Sequence, residues 1–247
     1  MRSQTLKAIA LVLIFTACSK VPISNRKQLN LLPESQMVSM SLTSYADFLK
    51  QNPPVTGTPD AQMVKNIGAK IQSAVVTYLG QNKMGDRVSG YKWEYNLVNS
   101  KEVNAWCMPG GKVVVYSGIL PLTQDETSLA IVMGHEIAHA VARHGNERMS
   151  QMLVQQMGGM ALDVALQTKS AETKNIFMTS YGVGSSLGIL AYSRTHETEA
   201  DEMGLIFAAM AGYDPQKAIT FWQRMAQQGG SKPPEFLSTH PSDETRI

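Results

Sequence analysis

Apolar and polar positions change their period along this chain. From Glu34 to Lys50, Met37, Met40 or Leu42, Tyr45, Phe48 and Leu49 recur at helical spacing. The stretch "NPPVTGTPD" interrupts that pattern, and Pro59 with Asp60 opens a second helix running to about Leu79. The polar loop "QNKMGDRVSG" leads into two runs dominated by β-branched and aromatic residues, "YKWEYNLV" and "KVVVYSGIL", which read as strands. After Thr123 the pattern is helical over roughly 124–144, 147–167, 185–211 and 215–228, and "GGSKPPEFLSTHPS" then reads as loop. Thr123 and Glu126 stand as T-x-x-E, the spacing of a capping box at a helix start. Methionines 149, 152, 157 and 160 read as ordinary helix packing, Met being a flexible gap-filler. The fold class expected is α+β, mainly α, with a small sheet.

The first residues, "MRSQTLKAIALVLIFTAC", alter the picture at the N-terminus. A basic start, an apolar run from Ala8 to Phe15 and small residues before Cys18 make a signal peptide of residues 1–17; the run is too short for the ~20 residues that span a bilayer. "FTAC" resembles a bacterial lipoprotein signal, which makes Cys18 the lipid-carrying residue, 18–33 an anchor and extended tether containing Pro22 and Pro33, and 34–247 a single domain. Ser19 after the anchor points to the outer membrane, on the periplasmic side. With Cys18 acylated, Cys107 has no partner for an intrachain disulfide. Without Arg2 and Lys7 of the leader, basic and acidic residues number 20 each, which argues against a nucleic-acid partner.

The chemistry lies in "VMGHEIAHAVARHG", residues 132–145. Helical positions four apart lie about 40° apart around the axis and ~6 Å along it, so His135 and His139 point the same way and can reach one zinc ion. Glu136 lies beside the pair, placed to act as general base without being a ligand. By composition an H-E-x-x-H pattern arises by chance roughly 0.005 times in such a chain, so it is a specific signal. A catalytic zinc takes a third protein ligand from another element. Read as one continuous helix, the stretch puts His144 too far along the axis to join, and the better donors are in "SRTHETEAD". There Glu197 and Asp201 stand four apart, so one carboxylate can bind zinc while the other holds a ligand imidazole by its free N–H. Glu199 lies about 200° around the axis from Glu197 and is expected to face away.

"HEIAH" followed by "ETEAD" resembles the Glu-zincin metallopeptidases, in the family that includes the periplasmic BepA- and LoiP-type proteases, the heat-shock protease HtpX and the CaaX prenyl endopeptidases. The resemblance covers residues 28–247, with strong motifs from 103 onward. It implies a zincin-like domain whose small sheet packs beside the zinc helix, one zinc per chain on His135, His139 and Glu197, Glu136 as general base, and Asp201 behind a ligand. "LSTHPSDETRI" resembles the late H-P segment of that family, which implies that His240 approaches the site as an oxyanion stabiliser or as an inhibitory fourth ligand. "NAWCMPGGKVVVYSGIL" resembles the segment before the zinc helix, where an extended substrate can add as a strand, with Asn104, Ala105, Gly111 and Val113 as substrate-binding candidates. Neither a helical-repeat domain of the BepA kind nor membrane helices of the HtpX kind are expected here. The function implied is a zinc endopeptidase acting on unfolded, misfolded or misassembled envelope polypeptides, with envelope-assembly partners and a membrane contact through the lipid anchor alone. The alternative is a zinc-stabilised binding or chaperone-like lipoprotein closed by His240.

Overall fold

The computed structural model describes residues 18–157, 171–181, 193–227, 236, 239 and 240. The leader at 1–17, Met160, the first part of the helix expected from 185 and most of the loop expected after 228 lie outside the described residues.

β1 (Cys18–Lys20) and β2 (Lys27–Leu29) pair antiparallel. The stretch expected to be an extended tether avoids helix, but it packs as an arm on the domain: Val21 and Gln28 are buried, and Gln28 Nε2 donates to Ala142 O at 2.8 Å. α1 (Glu34–Gln51) follows, and α2 (Pro59–Gln81) starts where the Thr58 side chain accepts from Ala61 N and Pro59 takes a first-turn position that needs no amide proton.

β3 (Glu94–Val98), β4 (Ala105–Met108) and β5 (Lys112–Tyr116) form a sheet ordered β3-β5-β4, with β3 parallel and β4 antiparallel to β5. β4 went unread as a strand because "AWCM" is short and runs straight into a turn. In that turn Gly110 and Gly111 both adopt positive φ, 83° and 76°, which L side chains reach only with strain. Every residue of β5 is buried, since it is paired on both edges and covered on both faces. Val113 and Val115 join one hydrophobic cluster, while Val114 and Tyr116 join another with α1, Met149, Met152 and Phe177.

After α3 (Leu120–Thr123), Gln124 turns into the left-handed region and Asp125 caps α4 (Glu126–Ala142), its carboxylate accepting from Ser128 N at 2.7 Å. The capping box expected at Thr123 is thus replaced by D-x-x-S two residues later; Glu126 turns outward and accepts from Tyr213 Oη at 2.6 Å. The chain leaves α4 through Arg143, also left-handed at φ 65°, and α5 (His144–Met157) starts in a new direction. α6 (Ala171–Ser180) was not anticipated. α7 (Arg194–Met210) is capped by the Ser193 side chain accepting from His196 N, and α8 (Lys217–Gln227) follows.

α4 is the central helix. All its residues from Ser128 to Ala142 are buried, as in a helix surrounded by protein on every side. Its closest neighbour is α7, and the approach depends on two glycines: a Cβ on Gly134 would lie 2.8 Å from Gly204 O, and one on Gly204 2.8 Å from His135 N. The result is an α+β, mainly α domain with its small sheet beside α4. Among the described residues no helix is long and apolar enough to cross a membrane.

Candidate metal centre

α4 and α7 deliver the motif side chains to one point because the two glycines let the helices touch. His135 Nε2 lies 3.1 Å from His139 Nε2 and 3.1 Å from His240 Nδ1. Glu197 Oε1 lies 3.0 Å from His240 Nδ1 and 3.3 Å from His139 Nε2. All four residues are buried, and their donor atoms fall within 4.8 Å of one another. Ligand atoms at ~2.0–2.1 Å from a tetrahedral zinc stand about 3.3–3.4 Å apart, close to these separations. Three ring nitrogens and a carboxylate oxygen facing inward make the N/O donor set that zinc accepts, so the residues present fit the ion.

The electrostatics point the same way. Burial holds the His139 imidazole well below its usual range despite Glu197, which keeps it neutral. Burial opposes ionisation of Glu197, but the charge of His240 and hydrogen bonds from His135, His139 and His240 win and hold its carboxyl well below the carboxylate range. His135 is pushed up to about 9 in the metal-free chain, because Asp201 and Glu197 outweigh the cost of burial. Its Nδ1 donates to Asp201 Oδ1 at 2.8 Å, leaving Nε2 to face the centre. Glu136, next to His135 on α4, is buried and lies 3.5 Å from His240 Nε2. Phe236 stacks on the His240 ring at 4.6 Å and on Trp222 at 5.9 Å, which walls the centre with aromatic surface.

His135, Glu136, His139, Glu197, Asp201 and His240 therefore come together. The strand candidates divide. Ala105 opens β4, one of the two edge strands, and Asn104 precedes it with its side-chain oxygen accepting from Ala105 N at 2.8 Å. Gly111 and Val113 must be corrected: Gly111 sits in the β4–β5 turn and Val113 on β5, whose backbone is already paired on both edges and has no place for a substrate strand. Cys18 is the first residue of β1.

Sequence reasoning missed a second buried cluster. Because the helix breaks at Arg143, His144 does not continue the axis of α4; it turns back so that its Nδ1 lies 2.9 Å from His139 Nδ1. Its Nε2 lies 3.0 Å from Glu199 Oε2, and Glu199, expected to face away from the site, is buried with it. A left-handed non-glycine residue within "AVARHG" carries no sequence signature that would have exposed this.

Two histidines and a glutamate of H-E-x-x-H on a buried helix, met by Glu197 of α7, make the arrangement of a metallopeptidase of the H-E-x-x-H type. The comparisons agree: the model of peptidase family M48 matches residues 69–247. The mitochondrial metalloendopeptidase OMA1 of Schizosaccharomyces pombe is 31% identical over 242 residues, covering 96% of this chain and 66% of that protein. The human metalloendopeptidase of the same name is 30% identical over 246 residues, 96% of this chain but 46% of the human one. The β-barrel assembly-enhancing protease of Escherichia coli K12 is 31% identical over 160 residues, 63% of this chain and 33% of that protein. The chain belongs to peptidase family M48, a family of zinc metalloendopeptidases. One expectation is overturned: relatives aligned over almost the whole chain are mitochondrial enzymes, so the periplasmic, outer-membrane location read from the leader is withdrawn.

Proposed function

We propose that this chain is a zinc-dependent endopeptidase acting on unfolded or extended polypeptides, with His135, His139 and Glu197 holding the ion and Glu136 as general base. The convergence of those donors with Glu136 at their side carries the reading. Bound zinc supplies Lewis acidity, lowering the pKa of water toward ~7 and polarising a carbonyl. Glu136, buried beside the donors, takes the proton from the attacking water and returns it to the leaving amine. Asp201 fixes the tautomer of His135. His240 stands at the fourth donor place, either as an inhibitory ligand or, when it is off the ion, as a stabiliser of the oxyanion.

Substrate binding by strand addition is supported at β4, which ends the sheet and begins at Ala105. Just before it, Phe236 N donates to Val103 O at 3.2 Å, so a main-chain donor is already accepted at this edge. Misfolded or misassembled envelope proteins as substrates, and assembly partners with them, draw support from the name of the Escherichia coli relative. Membrane attachment through an acyl group on Cys18 is tested by the intact mass of the purified chain.

The four-donor closure also favours a second reading, a zinc-stabilised binding protein, because structural zinc sites are closed while catalytic ones keep an open position. Wild type, Glu136→Gln and His240→Ala, at matched zinc content, should be incubated with an unfolded protein and the products read by mass spectrometry. Cleavage by wild type or His240→Ala, absent in Glu136→Gln, supports the peptidase; no cleavage by any of them, with zinc bound, supports the binding protein.

A further inference from the structure

The buried cluster behind His139 has no role in the chemistry above, and its connections are specific. His139 must present Nε2 to the metal, so its proton sits on Nδ1, and the group facing that proton is His144 Nδ1 at 2.9 Å. For His144 to accept there, its own proton must sit on Nε2, where Glu199 Oε2 receives it at 3.0 Å. One arrangement of protons satisfies both contacts: Glu199 carboxylate, neutral His144, neutral His139 with its lone pair inward.

Glu199 is itself held from the N-terminal arm. Arg26 Nε reaches Glu199 Oε1 and its NH2 reaches Oε2, both at 2.9 Å, and Ser24 Oγ donates to Oε1 at 2.5 Å. The other side of the same guanidinium makes two 2.8 Å contacts with Glu147 of α5. Glu147 accepts in turn from His196 Nε2 at 3.0 Å, and the His196 ring stacks on His144 at 4.5 Å. Two buried carboxylates, from α5 and α7, are therefore bridged by one arginine supplied by residues that lie far from both in sequence.

We propose that His144 is a positioning residue for the metal ligand His139, set by Glu199 and, through Glu199, by Arg26 of the N-terminal arm. This rests on the reading of the His-His-Glu-His cluster as a zinc centre. It extends the usual carboxylate–histidine–metal arrangement by one imidazole, and it makes the arm between β1 and β2 part of the support of the metal site. Support of this kind is typically worth 10–100-fold in metal affinity.

The test uses the purified full chain, zinc affinity by chelator competition, and the visible spectrum of the cobalt-substituted protein, with thermal unfolding measured in parallel. His144→Phe, which keeps the volume and removes both nitrogens, is expected to weaken zinc about 10–100-fold and to shift the cobalt bands. His144→Asn places an acceptor oxygen near the lost Nδ1 and is expected to restore most of the affinity. Arg26→Gln should move affinity and bands in the same direction by less. Should His144→Phe fail to fold, Glu199→Gln and Arg26→Gln carry the same test. Wild-type affinity and an unchanged cobalt spectrum in folded His144→Phe or Glu199→Gln overturn the proposal, even where the unfolding temperature drops, and so does failure of Asn to restore binding. A wild-type chain that binds no zinc takes down the metal-centre reading, and this proposal with it; one zinc per wild-type chain with indifferent variants overturns this proposal alone.

Discussion

His135 and His139 leave the same helix one turn apart, yet the protein holds them by different means. His135 Nδ1 meets a carboxylate directly, Asp201 on α7, with 18% of that side chain still exposed. His139 Nδ1 meets a fully buried neutral imidazole, and the nearest charge lies one residue further out, on Glu199. A carboxylate in contact raises the basicity of its histidine strongly; a neutral relay fixes the ring with less charge beside the metal. The contrast shows that two identical letters in a motif need not have equivalent surroundings, and that the second depends on a part of the chain outside the motif.

The largest effects should erase the contrast. His139→Ala is expected to abolish both zinc binding and peptide cleavage, whereas Glu136→Gln keeps zinc and lowers turnover by ~10²–10⁴-fold, the usual weight of a general base. Metal content by elemental analysis beside turnover separates the two, and an active Glu136→Gln enzyme would sink the mechanism. Next comes Asp201→Asn, which touches the His135 side only. It should weaken zinc about 10–100-fold while leaving the effect of Arg26→Gln unchanged when the two are combined. Strong non-additivity in that double variant would mean that the two supports are one network.

Gly204→Ala tests both sides together, since the added methyl would press on the backbone of His135 and push α7 from α4. A loss of about 1–3 kcal/mol in denaturant unfolding is expected, with weaker zinc binding as Glu197 and Asp201 move away. The smallest effect concerns acid and the His139 side. Burial opposes the ionisation of Glu147, but Arg26 and His196 overcome it and hold its carboxyl down at about 2, against an ordinary 4.5. A carboxyl depressed on folding contributes stability that is present above about pH 4.5 and is lost as pH falls toward 2. The unfolding temperature of wild type should therefore exceed that of Glu147→Gln at neutral pH, and the gap should close as pH falls toward 2. A constant gap would mean that the carboxylate charge is not what holds the arm.

Much of this was legible beforehand because it is local. Helical period locates α1, Pro59 with Asp60 marks the start of α2, and H-E-x-x-H with E-x-x-x-D names His135, Glu136, His139, Glu197 and Asp201, which the fold brings together. Local reading failed where a single residue changes direction. Nothing in Arg143 announces a left-handed turn, so His144 was placed along the axis of α4 and Glu199 on an outer face. The strand β4 was lost because its four residues show no alternation, being buried throughout. The arm was read as a tether because its polar groups find partners only in distant elements: Arg26 with Glu147 and Glu199, Gln28 with Ala142.

By itself the sequence determined which side chains can bind zinc, since the spacing of a helix puts His135, His139 and Glu136 together before any tertiary contact forms. Only the tertiary structure decided how closely Glu197 and His240 approach that pair, that β5 is closed to a substrate strand, and that Arg26 of the N-terminal arm reaches Glu199 behind His144. The physical reason is distance along the chain. Helical periodicity relates residues within a few turns, whereas contacts between elements depend on how closely the backbones approach, and here two glycines at a helix crossing and one left-handed arginine set that approach.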